Sequence, residues 1–299
     1  MVLVVGSTGL VGSAICRKLV ERGESARALV RTTSLEQKVR ALRSAGAELR
    51  IGDLKDTDSV RSACHGVDAV VSTASATLSR EPGDSIESVD GAGQLRLVEN
   101  AKRANVDRFL FVSFRRPAGL SFSLSDAKAQ VESAIKSVNF TIIQASWFME
   151  VWLNPALGFD YFNARVLIYG PGTAPISWVS AADVAEMCAI GLRHPAAARE
   201  TIEFGGPEAL SPLQVVAKFE TIGGKQFQIE HVPEPALRAQ FDDATDSLQR
   251  SVAGLMLGYA YGDAMNMSHV VEKFGITLSN VDTYARRVFA ERGSRVSPS

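Results

Sequence analysis

The chain has 299 residues, of which 46% are hydrophobic and 22% charged, the composition of an ordinary globular protein. A net charge of −1 excludes the basic surface that nucleic acids and anionic membranes require, so neither is expected as a partner. Three widely spaced cysteines form no disulfide framework and favour a cytoplasmic location. No apolar run reaches the ~18 residues that a membrane span needs, and no basic leader precedes Val2, so no signal peptide is expected.

The first half alternates short apolar runs with amphipathic stretches, which is typical of repeated βα units and a parallel sheet. Strands are predicted at 2–5, 26–30, 47–51, 67–72, 108–113 and 140–145. Helices are predicted at 10–22, 35–45, 57–65, 88–104 and 126–138. Ser34 and Gln37 match a capping box at the start of the second helix. Six strands joined by crossover helices predict a doubly wound α/β fold.

The second half is less regular. Strands are predicted at 164–169, 176–179, 201–204 and 227–232, with helices from Ser180, from Ser211-Pro212 and from Pro233 onward. We expect residues 1–150 to form the first domain, with 176–204 returning to it. Residues 151–175 and 205–292 are expected to form a smaller, interleaved α/β domain, and 293–299 a frayed tail.

The strongest local signal is the N-terminal loop Gly6-Ser7-Thr8-Gly9-Leu10-Val11-Gly12. It follows a predicted strand and opens a predicted helix, which is the context that a dinucleotide fingerprint requires. Glycines allow close approach of a pyrophosphate, and the helix N-terminus offers free N–H groups to the anion. A dinucleotide is expected to contact all of this loop except Ser7.

The end of the second strand indicates which dinucleotide binds. An acidic residue there would accept a hydrogen bond from the ribose 2′-hydroxyl of NAD. The chain has Val30-Arg31-Thr32-Thr33-Ser34 instead, with no carboxylate. An arginine and three hydroxyl groups suit a 2′-phosphate, so NADP(H) is the predicted cofactor. The alternative is that Arg31 is a solvated residue at a strand end.

Two further strand ends are predicted to reach the same cleft. Asp53 and Leu54 end the third strand near the expected adenine site, where Asp53 either accepts from the adenine amino group or is an ordinary turn residue. Ser72, Thr73 and Ala74 end the fourth strand. Their small side chains would let the cofactor lie against the backbone, or they are simple turn residues.

Lys128 lies on the flank of the apolar stripe of the predicted helix 126–138. It either reaches a cleft near the nicotinamide or lies along the flank in an ion pair with Glu132, one turn on.

The aromatic run Trp147-Phe148-Met149 follows the sixth strand, where ligand clefts of open α/β sheets lie. It predicts a pocket for a flat apolar substrate, or the apolar core that joins two domains. The four histidines are scattered without paired spacing, so no metal site is expected.

Further motifs are Ala28-Leu29-Val30-Arg31, Ala127-Lys128-Ala129-Gln130-Val131-Glu132, Trp147-Phe148-Met149-Glu150, Ser180-Ala181-Ala182-Asp183 and Phe204-Gly205-Gly206-Pro207. With the glycine loop and Gly52-Asp53-Leu54, they resemble the NmrA-like family of atypical short-chain dehydrogenases/reductases over roughly residues 2–292. The resemblance implies a Rossmann domain with a smaller C-terminal substrate domain, and NADP(H) as ligand. The family includes isoflavone, triphenylmethane and quinone reductases, and also non-enzymatic redox sensors.

The resemblance also implies roles for single residues. It places Arg31 at the 2′-phosphate and Lys128 beside the nicotinamide, as general base or proton relay. Ser113 matches the position of the active-site serine. The family's Tyr-x-x-x-Lys pattern is broken, because Leu124 stands at the tyrosine position.

Two principal functions follow. The first is an NADPH-dependent reductase that transfers hydride to a small conjugated or quinone-like acceptor, with Lys128 and Ser113 as catalytic residues. The second is a non-catalytic NADP(H)-binding redox sensor or regulator, which the missing tyrosine favours. An epimerase is a remote third, since that chemistry needs the tyrosine. We expect a monomer or homodimer.

Overall fold

The larger sheet is built from seven parallel strands. The computed structural model describes residues 1–78 and 81–296, with side chains to residue 291. The strands are β1 (Val2–Val5), β2 (Ala26–Val30), β3 (Glu48–Ile51), β4 (Ala69–Ser72), β5 (Arg108–Phe114), β6 (Phe140–Ala145) and β9 (Glu200–Phe204). Their order is β3-β2-β1-β4-β5-β6-β9. The predicted parallel α/β sheet is confirmed, and its strand order reverses between β1 and β4.

Helices cover both faces of this sheet. They are α1 (Leu10–Glu21), α2 (Glu36–Ser44), α3 (Thr57–Cys64), a π-helix (Ile86–Gly93) that continues into α4 (Gln94–Arg103), α5 (Ser123–Ile135), the short α6 (Met149–Trp152) and α7 (Ala181–Arg193). Alternate residues of β1 face two cores: Val2 and Val4 pack with α1 and α7, while Leu3 and Val5 pack with α3, α4 and α5. Burial on both faces explains why β1 is a continuous apolar run.

A second, three-stranded sheet has the order β10-β8-β7. Its strands are β7 (Phe159–Asp160), β8 (Arg165–Tyr169) and β10 (Gln228–Val232), and the surrounding helices are α8 (Pro212–Gly223), α9 (Glu234–Asp243), α10 (Ser247–Tyr261) and α12 (Val281–Val296). Trp178, Phe219 and Tyr259 lie in a separate aromatic core here. The short α11 (Ser268–Phe274) packs instead against the core under α1 and α7. Between the strands of this sheet the chain returns to the larger one through α7 and β9. The division into the two predicted domains stays a prediction.

Several local predictions need correction. Residues 176–179 form no strand, because their backbone bonds go to three separate partners: Ile176 bridges to Leu210 and Asp263, and Val179 to Phe148. The helix predicted at 88–104 begins with the π-helical turn. Ser34 caps no helix, since α2 begins at Glu36 and the Ser34 hydroxyl accepts from the Arg31 N–H instead.

Two helix ends also differ from the prediction. The helix predicted at 126–138 covers Ser123–Ile135, so Lys128 lies in its second turn rather than its first. The tail predicted from residue 293 is helical as far as Val296, and residues 297–299 lie outside the described part.

Candidate functional site

A cleft with a volume of about 150 Å³ lies at the carboxyl ends of β1, β2 and β4, next to the point where the strand order reverses. Its walls combine residues of three strand ends with the glycine loop: Gly6, Thr8, Gly9, Arg31, Lys38, Asp53, Leu54, Thr73, Ala74 and Asp84. Open α/β sheets bind ligands at such a reversal. The strand ends and glycine loop singled out in the sequence form part of this wall, whereas Lys38 and Asp84 come from segments that were not predicted to reach it.

The glycine loop packs so tightly against itself and against the end of β4 that no side chain fits at two of its positions. Gly6 has a φ of +80°, and a Cβ there would lie 2.7 Å from Thr73 Oγ1 and 2.8 Å from the Ala74 nitrogen. A Cβ on Gly12 would lie 2.2 Å from the Gly6 carbonyl oxygen. The Gly9 N–H donates to that carbonyl at 2.9 Å, which closes the turn. Glycine is thus a steric requirement of the turn at positions 6 and 12.

The start of α1 is open to an anion. Gly9 is the N-cap, offers no side-chain cap, and no acidic residue lies in the first turn. The first N–H groups of a helix have no partner within it, and its dipole favours negative charge. Leu10 is 46% exposed, whereas Val11 packs partly against the core and presents its backbone. This cradle fits the diphosphate of a dinucleotide.

Arg31 lies at the rim of the cleft but is not a solvated residue. Its Nη1 donates to Asp84 Oδ2 at 2.6 Å, and its Nη2 lies 3.0 Å from Glu81 Oε1. Lys55 Nζ donates to the second oxygen of Asp84 at 2.5 Å. No carboxylate stands beside Arg31 in the sequence, yet two reach it from the segment after β4. Sequence reasoning missed both, because no local pattern links them to β2.

The other predicted contacts of the cofactor divide into two groups. Asp53 forms a turn in which its Oδ1 accepts from the Lys55 N–H at 2.8 Å, so the turn alternative is present in the structure. Thr73 donates its N–H to the Val5 carbonyl at 3.0 Å and, with Ala74, lines the cleft. Ser72 is fully buried and donates to Gln94 Oε1 at 2.8 Å, outside the wall of the cleft.

Lys128 is buried, with 5% of its surface exposed. Its Nζ lies 3.8 Å from Asp90 Oδ1, donates weakly to the Val112 carbonyl at 3.5 Å, and stands 4.6 Å from the centre of the Phe111 ring. Asp90 is fully buried on the π-helix, and its Oδ1 has no hydrogen-bond partner among the described residues. The charge partner of Lys128 is therefore Asp90, whereas the sequence suggested Glu132.

Burial lowers the pKa of the Lys128 amine below its ordinary value, and the negative charges of Asp90 and Glu132 offset only part of this effect. A buried lysine with a lowered pKa exchanges its proton closer to neutral pH than a solvated one. This environment gives the amine the chemistry of a proton donor or acceptor.

Ser113 belongs to a polar group beside Lys128. Its hydroxyl donates to Glu132 Oε1 at 2.6 Å, and the same carboxylate accepts from Gln144 Nε2 at 3.0 Å and from Arg116 Nη1 at 3.0 Å. Ser113 is 4% exposed. Neither it nor Lys128 belongs to the described lining of the cleft around Gly6.

The aromatic run after β6 packs in the interior. Trp147 is 5% exposed and Met149 is fully buried, both in the aromatic core, while Phe148 packs against the core under α1 and α7. Two backbone hydrogen bonds tie this run to Val179. The arrangement favours the alternative in which the run joins the two halves of the molecule, and the substrate pocket at 147–149 stays a prediction.

No group of three or more histidine, cysteine, aspartate or glutamate side chains within 1–78 and 81–291 is arranged to hold a metal ion. In the same part of the chain, no helix combines the length and apolarity needed to cross a bilayer.

Together the parallel sheet, the glycine cradle and the anion-accepting helix start define an NAD(P)-binding α/β protein. The sequence model of the NmrA-like family matches residues 1–274, and the chain belongs to this family of NAD(P)-binding oxidoreductases. The family resemblance seen in the sequence is confirmed.

Similar proteins include an assembly factor, an azoreductase and a quinone oxidoreductase. Photosystem II assembly factor Ycf39 of Synechocystis sp. is 27% identical, over 96% of this chain and 90% of its own length. NAD(P)H azoreductase of Xenophilus azovorans is 24% identical, over 97% of this chain and 96% of its own length. The solved NADPH complex of an Escherichia coli quinone oxidoreductase has a TM-score of 0.77 at 20% identity, covering 97% of this chain and all of that one. That likeness shows the shared fold.

Proposed function

We propose that the protein is an NADPH-dependent reductase acting on a small conjugated or quinone-like acceptor. The observation that carries the proposal is the cradle formed by Gly6, Gly12 and the uncapped start of α1, with Arg31 at the rim of the same cleft. Similarity to an azoreductase and to a quinone oxidoreductase supports this class of acceptor.

The cofactor supplies the hydride when bound, so the protein's own residues need only bind, orient and manage a proton. Leu124 is 4% exposed and carries no proton to donate, which removes the hydroxyl acid of the family pattern. A conjugated acceptor spreads its developing negative charge and needs less acid assistance. Lys128 holds the proton. Beside it, Ser113 donates a hydrogen bond to Glu132 and so keeps that carboxylate in place.

The test is NADPH oxidation with a panel of quinones, enones and azo dyes, comparing the wild type with Lys128→Met. We expect the variant to lose about 100-fold in kcat, the usual size of a general acid contribution, while its Kd for NADPH changes less than about twofold. Lys136→Met is the control, because this exposed lysine lies at the end of the same helix. Folded, NADPH-binding protein that turns over none of the panel contradicts the proposal.

A second candidate is an NADP(H)-binding regulatory or assembly protein without catalysis. Two observations favour it: the enclosure of Lys128 between Asp90 and Phe111, and the similarity to a photosystem II assembly factor. It predicts that NADP⁺ and NADPH change the affinity for a protein partner differently, and that Lys128→Met leaves this difference intact. Loss of the difference in that variant speaks against this candidate.

A further inference from the structure

Two acidic side chains from the segment after β4 already occupy the cationic end of the cleft. Asp84 accepts hydrogen bonds from Arg31 Nη1 at 2.6 Å and from Lys55 Nζ at 2.5 Å. Glu81 Oε1 lies 3.0 Å from Arg31 Nη2. The Asp84 side chain is 1% exposed, whereas those of Arg31 and Lys55 are 27% and 30% exposed, so the carboxylate is covered while its partners stay at the rim of the cleft. Both Nη atoms of the Arg31 guanidinium are therefore paired with carboxylate oxygens.

Residues 81–84, which we call the acidic turn, hold these carboxylates in place. The Glu81 N–H donates to Asp84 Oδ2 at 3.0 Å, and the Asp84 N–H donates to the Glu81 carbonyl at 2.9 Å. The Thr33 hydroxyl also donates to the Glu81 carboxylate. Burial opposes ionisation of Asp84, but hydrogen bonds from Lys55 and Arg31 outweigh it and hold its pKa below the ordinary value. At neutral pH the acidic turn therefore holds negative charge against Arg31, at the end of β2.

A phosphate dianion needs the same donors that the acidic turn occupies. Guanidinium groups pair with carboxylate and phosphate through the same parallel N–H···O geometry. Each Nη atom carries two N–H groups, so a 2′-phosphate that approaches Arg31 shares the guanidinium with Glu81 and Asp84, competes with them for its donors and meets like-charge repulsion while they remain. A 2′-hydroxyl carries no charge and meets no such repulsion.

We propose that Glu81 and Asp84 determine the cofactor preference of the cleft by competing with the 2′-phosphate of NADPH for Arg31. The inference rests on the proposed NADPH binding and adds an internal competitor to it. Lys38 lines the same cleft, so it offers the incoming phosphate a first cation. The acidic turn weakens NADPH binding selectively and leaves NADH binding nearly unaffected.

The test compares dissociation constants of NADPH and NADH for the wild type, Glu81→Gln, and Glu81→Gln/Asp84→Asn at one fixed ionic strength. Each substitution removes the negative charge and keeps one of the two carboxylate oxygens, so part of the hydrogen bonding from Arg31, Lys55 and Thr33 is lost with the charge. We expect the double variant to bind NADPH about tenfold more tightly or better, the single variant about threefold, and NADH to change less than about twofold. Glu87→Gln is the control, since this exposed acid lies just beyond the acidic turn.

Each other outcome has a distinct meaning. Unchanged NADPH affinity in both variants overturns the competition, and so does a parallel change of both cofactors. The single variant keeps the test decisive if the double variant does not fold, because Glu81 is partly exposed and its replacement leaves the buried Asp84 contacts in place. If folded wild type and variants all bind NADH but none binds NADPH, the proposed cofactor is wrong, and the inference fails with it.

Discussion

Lys128 shows how far single residues could be predicted. The helical spacing placed it on the flank of an apolar stripe, and the structure buries it there. Its partner was beyond prediction from local spacing, because Asp90 comes from a π-helix distant in sequence, while the acid one turn away, Glu132, bonds Arg116 and Ser113 instead. Periodicity reports the face of a helix, whereas the partner of a side chain depends on which elements pack against that face.

Asp90 is expected to set the proton affinity of Lys128. Its negative charge raises the pKa of the amine, so Asp90→Asn should lower that pKa further. If Lys128 donates a proton during turnover, the rate falls above its pKa, and the alkaline limb of the kcat profile should move to lower pH. The asparagine oxygen can still accept from the Ala76 N–H, which limits structural damage.

The measurement is a pH profile of kcat, with a ¹³Cε titration of Lys128 as a readout independent of turnover. Asp126→Asn is the control, since this exposed acid lies on the same helix as Lys128 but accepts a hydrogen bond from the Ser121 hydroxyl. An alkaline limb and a ¹³Cε titration that both match the wild type would show that Asp90 does not act on Lys128.

At the scale of elements, the strands of the larger sheet were predicted better than the helix caps. β1, β2 and β6 have the predicted bounds, because short, mostly apolar runs ended by turn residues specify buried parallel strands. The helix start predicted at Ser211-Pro212 is confirmed, with the Ser211 hydroxyl accepting from the Gln214 N–H, whereas the capping box predicted at Ser34 is wrong. The strand predicted at 176–179 is wrong because these residues are buried by isolated bridges between the two halves. Burial of that kind produces the same apolar sequence pattern as a strand.

A buried carboxylate, Asp263, links the end of β5 to the C-terminal half. Asp263 is 4% exposed, accepts from Ser146 Oγ at 2.8 Å and pairs with Arg115. Burial raises the pKa of Asp263 despite these partners. The folded state therefore binds this proton more tightly than the unfolded state, and the associated stability is lost as pH rises through the folded-state pKa.

Asp263→Asn removes this titration. From about pH 4 upward, the free energy of unfolding of the variant should rise relative to that of the wild type, because only the wild type must bury a new charge. Urea unfolding at several pH values measures the difference. Glu203→Gln, at an exposed carboxylate beside the same arginine, should show no such trend. A pH-independent difference between wild type and Asp263→Asn would refute this account.

In the whole molecule, the two halves are joined by shared strands and helices rather than by a linker. β9 completes the larger sheet beside β6, and α7 packs on α1 with an ion pair between Arg193 and Glu24. The alternation of strands and helices could predict this return of the chain. It could not predict the acidic turn or the π-helix, since both depend on contacts between distant segments.

Shared elements predict cooperative unfolding. All three tryptophans, Trp147, Trp152 and Trp178, lie in or against the aromatic core rather than in the cleft. NADPH at about 100 times its Kd should add about 2.7 kcal/mol of stability. The tryptophan and far-UV circular dichroism transitions should then shift together. Gly12→Ala, whose Cβ would collide with the Gly6 carbonyl, should lose the shift. A shift seen by circular dichroism alone would mean that the halves unfold separately.

The late position of β9 in the chain has a consequence for synthesis on the ribosome. β6 ends at Ala145, but its neighbour begins only at Glu200. At a synthesis rate of about 5–20 residues per second, the nascent sheet presents the unpaired backbone edge of β6 for several seconds. Such an edge is a template for pairing with another chain. Slow translation between these strands should therefore favour aggregation, and a nascent-chain chaperone that shields the edge should suppress it.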